Sequence, residues 1–99
     1  MTVVTEHYYT GIGRQRAVFL GPVYEGGRFS LDVMEGDEAS VEVSFDPVTQ
    51  VRKGRGQWQR FEGGLGGSLE GFTALRVNAT KLEGWVKLTV QGGMNGTAE

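Results

Sequence analysis

Cysteine is absent from these 99 residues, histidine occurs once and proline twice. Without thiols there is no disulfide scaffold, no thiolate metal centre and no cysteine nucleophile. The single imidazole, His7, has no second histidine and no thiol with which to build a metal site or a catalytic pair, and it lies on a candidate strand beside Tyr8 and Tyr9. Nowhere do eighteen apolar residues run together, so no segment has the length of a membrane-spanning helix. The opening residues, MTVVTEHYYTGIGR, lack a basic stretch followed by an apolar run, so no general secretory signal is expected. The expectation is a soluble protein made in a reducing cytosol. Cation excess is missing too: ten basic and twelve acidic side chains give a net charge of −2. That balance disfavours a generic nucleic-acid binder, whose affinity comes mainly from clustered cations.

The chemistry of a typical enzyme is equally scarce. Ser30, Ser40, Ser44 and Ser68 lack the context of an activated nucleophile, and Gly11, Ile12 and Gly13 open no helix that could receive a pyrophosphate. Asp32, Glu35, Asp37 and Glu38 match no cation-binding loop, and a chain this short offers no long cleft for a pair of glycosidase carboxylates. No cofactor, no metal and no catalysis are therefore expected.

What is present is period-two alternation. Phe29, Leu31 and Val33 alternate with Ser30 and Asp32, while Ala39, Val41, Val43 and Phe45 alternate with Ser40, Glu42 and Ser44. The turn residues between the two runs predict a hairpin. Leu75 and Val77, then Val86, Leu88 and Val90, repeat the pattern and predict a second one. Further strands are expected over residues 3–9, 16–20, 47–53 and 57–61. No window carries a helical apolar stripe. The spacing predicts a single all-β domain over residues 1–99: an antiparallel β-sandwich of about seven or eight strands, jelly-roll-like. A core of this size is modest, so packing against other copies would add stability.

Charge is unevenly spread. Residues 29–51 contain no Lys or Arg but hold Asp32, Glu35, Asp37, Glu38, Glu42 and Asp46; Arg52, Lys53, Arg55 and Arg60 follow directly. The stretch VRKGRGQWQRFEGGLGGSLEG, residues 51–71, joins four of the ten basic residues to Trp58 and seven of the seventeen glycines. Three readings fit it: a loop with an edge strand, a contact with a protein partner, or a stacking patch for nucleic acid. Glu62 and Glu70 dilute its charge, and Trp58 and Arg60 alternate with Gln57, Gln59 and Phe61 as on a strand, so nucleic acid is the least expected. Arg52, Lys53, Arg55, Trp58 and Arg60 are the candidate protein-contact residues, with Asp32, Glu35, Asp37 and Glu38 as their acidic complement. The run GGLGGS, residues 63–68, is read as a connector, flexible or turned through positive φ. A rival role is carbohydrate binding, with Tyr8, Tyr9, Tyr24, Trp58 and Trp85 as a stacking platform.

Near the C-terminus, GFTALRVNAT at residues 71–80 and GWVKLTVQGG at residues 84–93 resemble the closing strands of small β-sandwich virion proteins of tailed bacteriophages. These are head-decoration, minor capsid and tail-accessory proteins. The resemblance covers about a quarter of the chain. It implies a non-enzymatic structural component of the virion, present in many copies, trimeric or larger, that touches other copies of itself and the major capsid or other virion proteins. It carries over no functional residues.

Overall fold

Alternating side chains need a second apolar layer, and two sheets supply it for each other. The computed structural model describes residues 3–21, 24, 26–69 and 71–92. Its elements are β1 (Val4–Tyr9), β2 (Gly13–Arg14), β3 (Val18–Phe19), β4 (Arg28–Val33), β5 (Glu38–Ser44), α1 (Val48–Arg52), β6 (Gln59–Arg60), β7 (Gly66–Ser68), β8 (Ala74–Lys81) and β9 (Val86–Gln91). One sheet runs β1-β9-β4-β7; the other runs β2-β8-β5-β6, with β3 also on β8. All pairings are antiparallel. The chain is an all-β sandwich.

The alternation places most of its apolar residues inward, but it fails at the end of β5: Phe45, expected inside, is half-exposed, and Ser44, expected outside, is buried, its hydroxyl accepting the Asp46 N–H. Phe29 and Leu31 of β4 and Val86, Leu88 and Val90 of β9 are buried, and they form one core with Val41 and Val43 of β5, Leu75 and Val77 of β8, and Leu69. Each fully buried side chain of this kind contributes about 1.5–3 kcal/mol. Phe61 and Phe72 fill the side of the core around Phe29, with ring centroids 5.0 and 6.4 Å from it.

Both expected hairpins are corrected. β4 lies in one sheet and β5 in the other, and β8 and β9 are separated in the same way. Each pair is an arch that crosses the core, so the inward residues of consecutive strands face one another instead of lying side by side. The two arches nest: β4 pairs with β9 along six residues, and β5 pairs with β8. Period two tells which side of a strand is buried but not which strand is its neighbour, so both arrangements satisfy the same sequence. Asp37 stitches the arches together, its carboxylate oxygens accepting the N–H groups of Glu83 at 2.9 Å and Gly84 at 3.3 Å.

The strand expected over residues 47–53 is also corrected, because residues 48–52 form the single helical turn α1. Pro47 at its N-cap, with φ −55°, accepts the N–H groups of Gln50 and Val51 on its carbonyl. Val51 alone of the turn is buried. The β-branched Val48, Thr49 and Val51 suggested a strand, yet proline is well suited to opening a helical turn. Asp46 closes this segment by accepting the Gln57 N–H at 2.6 Å.

The GGLGGS run is part strand: residues 66–68 are β7, paired with β4. Its glycines answer to packing. A Cβ on Gly63 or Gly67 would stand 2.6 or 2.7 Å from the Phe61 ring, so bare backbone lets that ring reach the core.

Candidate functional site

The outer face of the β8 sheet carries the charged cluster with the shortest ion pairs among the described residues. β5 and β8 pair so that Glu42 lies opposite Arg76, and β6 adds Arg60 on the other side of Glu42. Glu42 accepts hydrogen bonds from Arg76 Nε at 2.7 Å and Arg14 Nε at 3.2 Å. The Arg76 guanidinium also lies over the Trp58 ring, 4.1 Å from its centroid, in a cation–π contact. Arg14 and Arg76 thus share one carboxylate, and Arg60 sits beside it in the ladder.

Two opposed effects act on Glu42. Burial pushes its carboxyl up, but the hydrogen bonds and charges of Arg76 and Arg14 outweigh that and hold it below its ordinary value of 4.5. A lowered folded value means the cluster stabilises the fold fully above pH 4.5, and this contribution fades as pH falls through the folded value. Urea midpoints measured from neutral to acid pH should therefore fall for the wild type and fall less for Glu42→Gln. Equal slopes for the two proteins would show that Glu42 is not an acid-sensitive link.

The five residues expected to form one contact patch divide into two groups. Trp58 and Arg60 belong to this outer face, with Trp58 half-buried beneath Arg76. Arg52, Lys53 and Arg55 sit at the end of the sandwich, on α1 and the residues after it. Arg52 lies 5.0 Å from the Phe19 ring centroid; Lys53 and Arg55 are exposed, with no ion pair among the described residues.

The acidic set divides as well. Asp32 sits on the outer face of the other sheet, 3.7 Å from Lys87, which lies equally far from Glu6. Asp37 is committed to the arches, whereas Glu35 and Glu38 are exposed and their carboxylates make no ion pair among the described residues. The two charged groups lie beyond opposite ends of β5: Glu35, Asp37 and Glu38 at its start, with Glu83 in the arch stitched to them, and Arg52, Lys53 and Arg55 past its finish. Seven strand residues separate them by roughly 20 Å. Lys81, opposite Glu38, is the cation at the acidic end that joins the β5–β8 ladder.

Comparisons with family models, curated proteins and solved structures return no match to this chain. The aromatic side chains do not make one platform. Tyr8 and Trp85 meet edge to face at 5.5 Å on the β1 sheet, Trp58 lies on the opposite sheet, and Tyr9 packs against the core. Arg14, Glu42 and Arg76 were not singled out from the sequence. Outward positions were legible for Glu42 and Arg76, but only the β5–β8 pairing makes them neighbours.

Proposed function

We propose that this chain is a non-catalytic structural component of a bacteriophage virion, joined to further copies of itself and to capsid or tail proteins through its charged ends. The observation that carries this reading is the separation of Glu35, Asp37, Glu38 and Glu83 from Arg52, Lys53 and Arg55 at opposite ends of β5. Opposite charge at two ends favours head-to-tail contact, and such heterologous interfaces close into rings or extend as filaments. A trimer or larger ring is the expected product.

The strand order supports the finer architectural reading. β2 and β3 lie along the same strand, β8, and count as one interrupted strand, which gives eight. Consecutive strands then change sheet at every step except β5 to β6. Eight strands exchanged between two sheets in this way are organised like a jelly roll, an architecture used by capsid and lectin domains among others. The resemblance of residues 71–93 to closing strands of phage virion proteins points the same way.

Replacing Arg52, Lys53 and Arg55 together by Glu should weaken self-association, and the wild-type association should itself weaken with added salt, since exposed charges are screened over about 8 Å at physiological ionic strength. Particle incorporation of the triple variant, measured by co-sedimentation with phage, should drop. Wild-type levels of incorporation would overturn the reading.

A further inference from the structure

We infer that β1 is an interface strand, pairing antiparallel across a two-fold axis with β1 of a second copy. Sheet edges are usually blunted, because a row of unpaired N–H and C=O groups recruits other chains. Among the described residues the sheet edges obey that rule with one exception. β2, β3 and β6 are two residues long and β7 is three, whereas β1 runs for six, carries neither proline nor lysine, and pairs with β9 without a register break.

The ladder identifies the groups left over. Gly92 N–H donates to the Val3 carbonyl at 2.6 Å, one step beyond the Val4–Gln91 pair. Hydrogen-bonded and non-bonded pairs alternate along an antiparallel ladder, so Thr5, His7 and Tyr9 turn their backbone groups toward β9. Val4, Glu6 and Tyr8 turn theirs outward, and no described segment pairs with them. The side chains agree: Val3, Val4 and Tyr8 are among the exposed large hydrophobics, with Val4 and Tyr8 more than half exposed.

Register selects the occupant. Related by a two-fold axis, β1 strands pair residues of equal parity, and two registers use the outward groups best. Centring on Glu6 sets Glu6 against Glu6, which like-charge repulsion opposes. Centring on His7 sets Glu6 against Tyr8 and Val4 against Thr10, with no like charges opposed. That register also places the two His7 residues opposite each other at about 4.5 Å between Cα atoms. His7 Nε2 is the buried side-chain nitrogen that lacks a hydrogen-bond partner among the described residues. The second imidazole gives it a neighbour of matching chemistry. The result is a continuous eight-stranded sheet built from two four-stranded ones.

This pairing does not depend on the virion reading, and it uses a surface separate from the charged ends. At high salt, where the charged-end contacts are screened, sedimentation equilibrium of the full chain should give a mass of two 10.8 kDa protomers. Glu6→Pro removes an outward N–H that β9 does not use, and Tyr8→Lys adds an edge-blunting charge. Either should raise the dimer dissociation constant at least about tenfold. In a chain with no other cysteine, His7→Cys should form a disulfide-linked dimer on mild oxidation, while Ser30→Cys, on the outer face of β4, should not. Charge reversal at Arg52, Lys53 and Arg55 should leave this dimer intact. A monomeric wild type, association indifferent to both edge variants, or equal cross-linking of the two cysteine variants would each overturn the proposal.

Discussion

Alanine at Gly27 is expected to cost about 3 kcal/mol, near the upper end for forcing one carbon into a packed site. Gly27 is buried immediately before β4, where its N–H donates to the Tyr24 carbonyl and its own carbonyl accepts the Leu69 N–H. A Cβ there would press into the Gln91 carbonyl oxygen, and it would stand 3.0 Å from the carbonyl carbons of Gln91 and Gly92. These are backbone atoms at the end of the β9 ladder, held by the Arg28–Gln91 pair, and they have no rotamer by which to retreat. The strands must part locally, which weakens β4–β9 and the Leu69 contact together. A domain of this length holds about 5–15 kcal/mol in total, so the loss is a large share. Urea denaturation should show a clearly lower midpoint for Gly27→Ala, with Gly11→Ala as the control, since a Cβ on Gly11 meets nothing within 4 Å. Equal midpoints for the two variants would contradict this account of the strand end.

Leu88→Ala should be comparably damaging, at about 2–5 kcal/mol. Leu88 is fully buried at the centre of β9, with His7 of β1 on one side and Leu31 of β4 on the other. β9 is held on both sides by ladder pairs, so its backbone cannot collapse freely into the space left by the lost isobutyl group. The cavity then adds to the lost transfer energy. Ile12→Ala is the comparison: Ile12 is 63% exposed, so its truncation should change the midpoint little. The measurement is the difference in urea midpoint between the two variants, and a small difference would mean that the core can close around Leu88.

Several elements were readable in advance for a specific reason. Phe29, Leu31, Val41, Val43, Leu75, Val77, Val86, Leu88 and Val90 all alternate with polar neighbours, and all of them point inward. Of the strand expected over residues 57–61 only Gln59–Arg60 forms, with Gln57 and Gln59 exposed, Phe61 packed against the core and Trp58 and Arg60 on the outer face. The misreadings have a common cause. A turn such as Met34 to Asp37, closed by the Asp37 N–H on the Met34 carbonyl at 3.0 Å, serves an arch as well as a hairpin. β-branched residues after Pro47 fit a strand by propensity and a helical turn by context. The run at residues 63–68 fits a connector that is flexible or turned through positive φ; Gly64 has the positive φ, and the Phe61 ring needs Gly63 and Gly67 bare for close approach.

The candidate site follows the same division. The charge split between residues 29–51 and the cations after them was legible as composition, and the chain geometry turned it into two ends separated by the length of β5. The arginine cluster around Glu42 was not legible, because Arg14, Glu42 and Arg76 are far apart in sequence and meet only through strand pairing. The unblunted edge of β1 is of the same kind, since a strand is an edge only by virtue of where its neighbours lie.

The sequence by itself determined the all-β class, the buried faces of β4, β8, β9 and most of β5, and the uneven spread of charge, because these depend on local periodicity and order along the chain. Tertiary structure alone decided that β4 and β9 are neighbours, that Asp37 ties two arches together, that Trp58 lies beneath Arg76, and that among the described residues β1 keeps a free edge. The physical reason is that side-chain alternation specifies a face, whereas the choice among strands with equally good faces is made by long-range pairing, turn direction and the packing of the whole core.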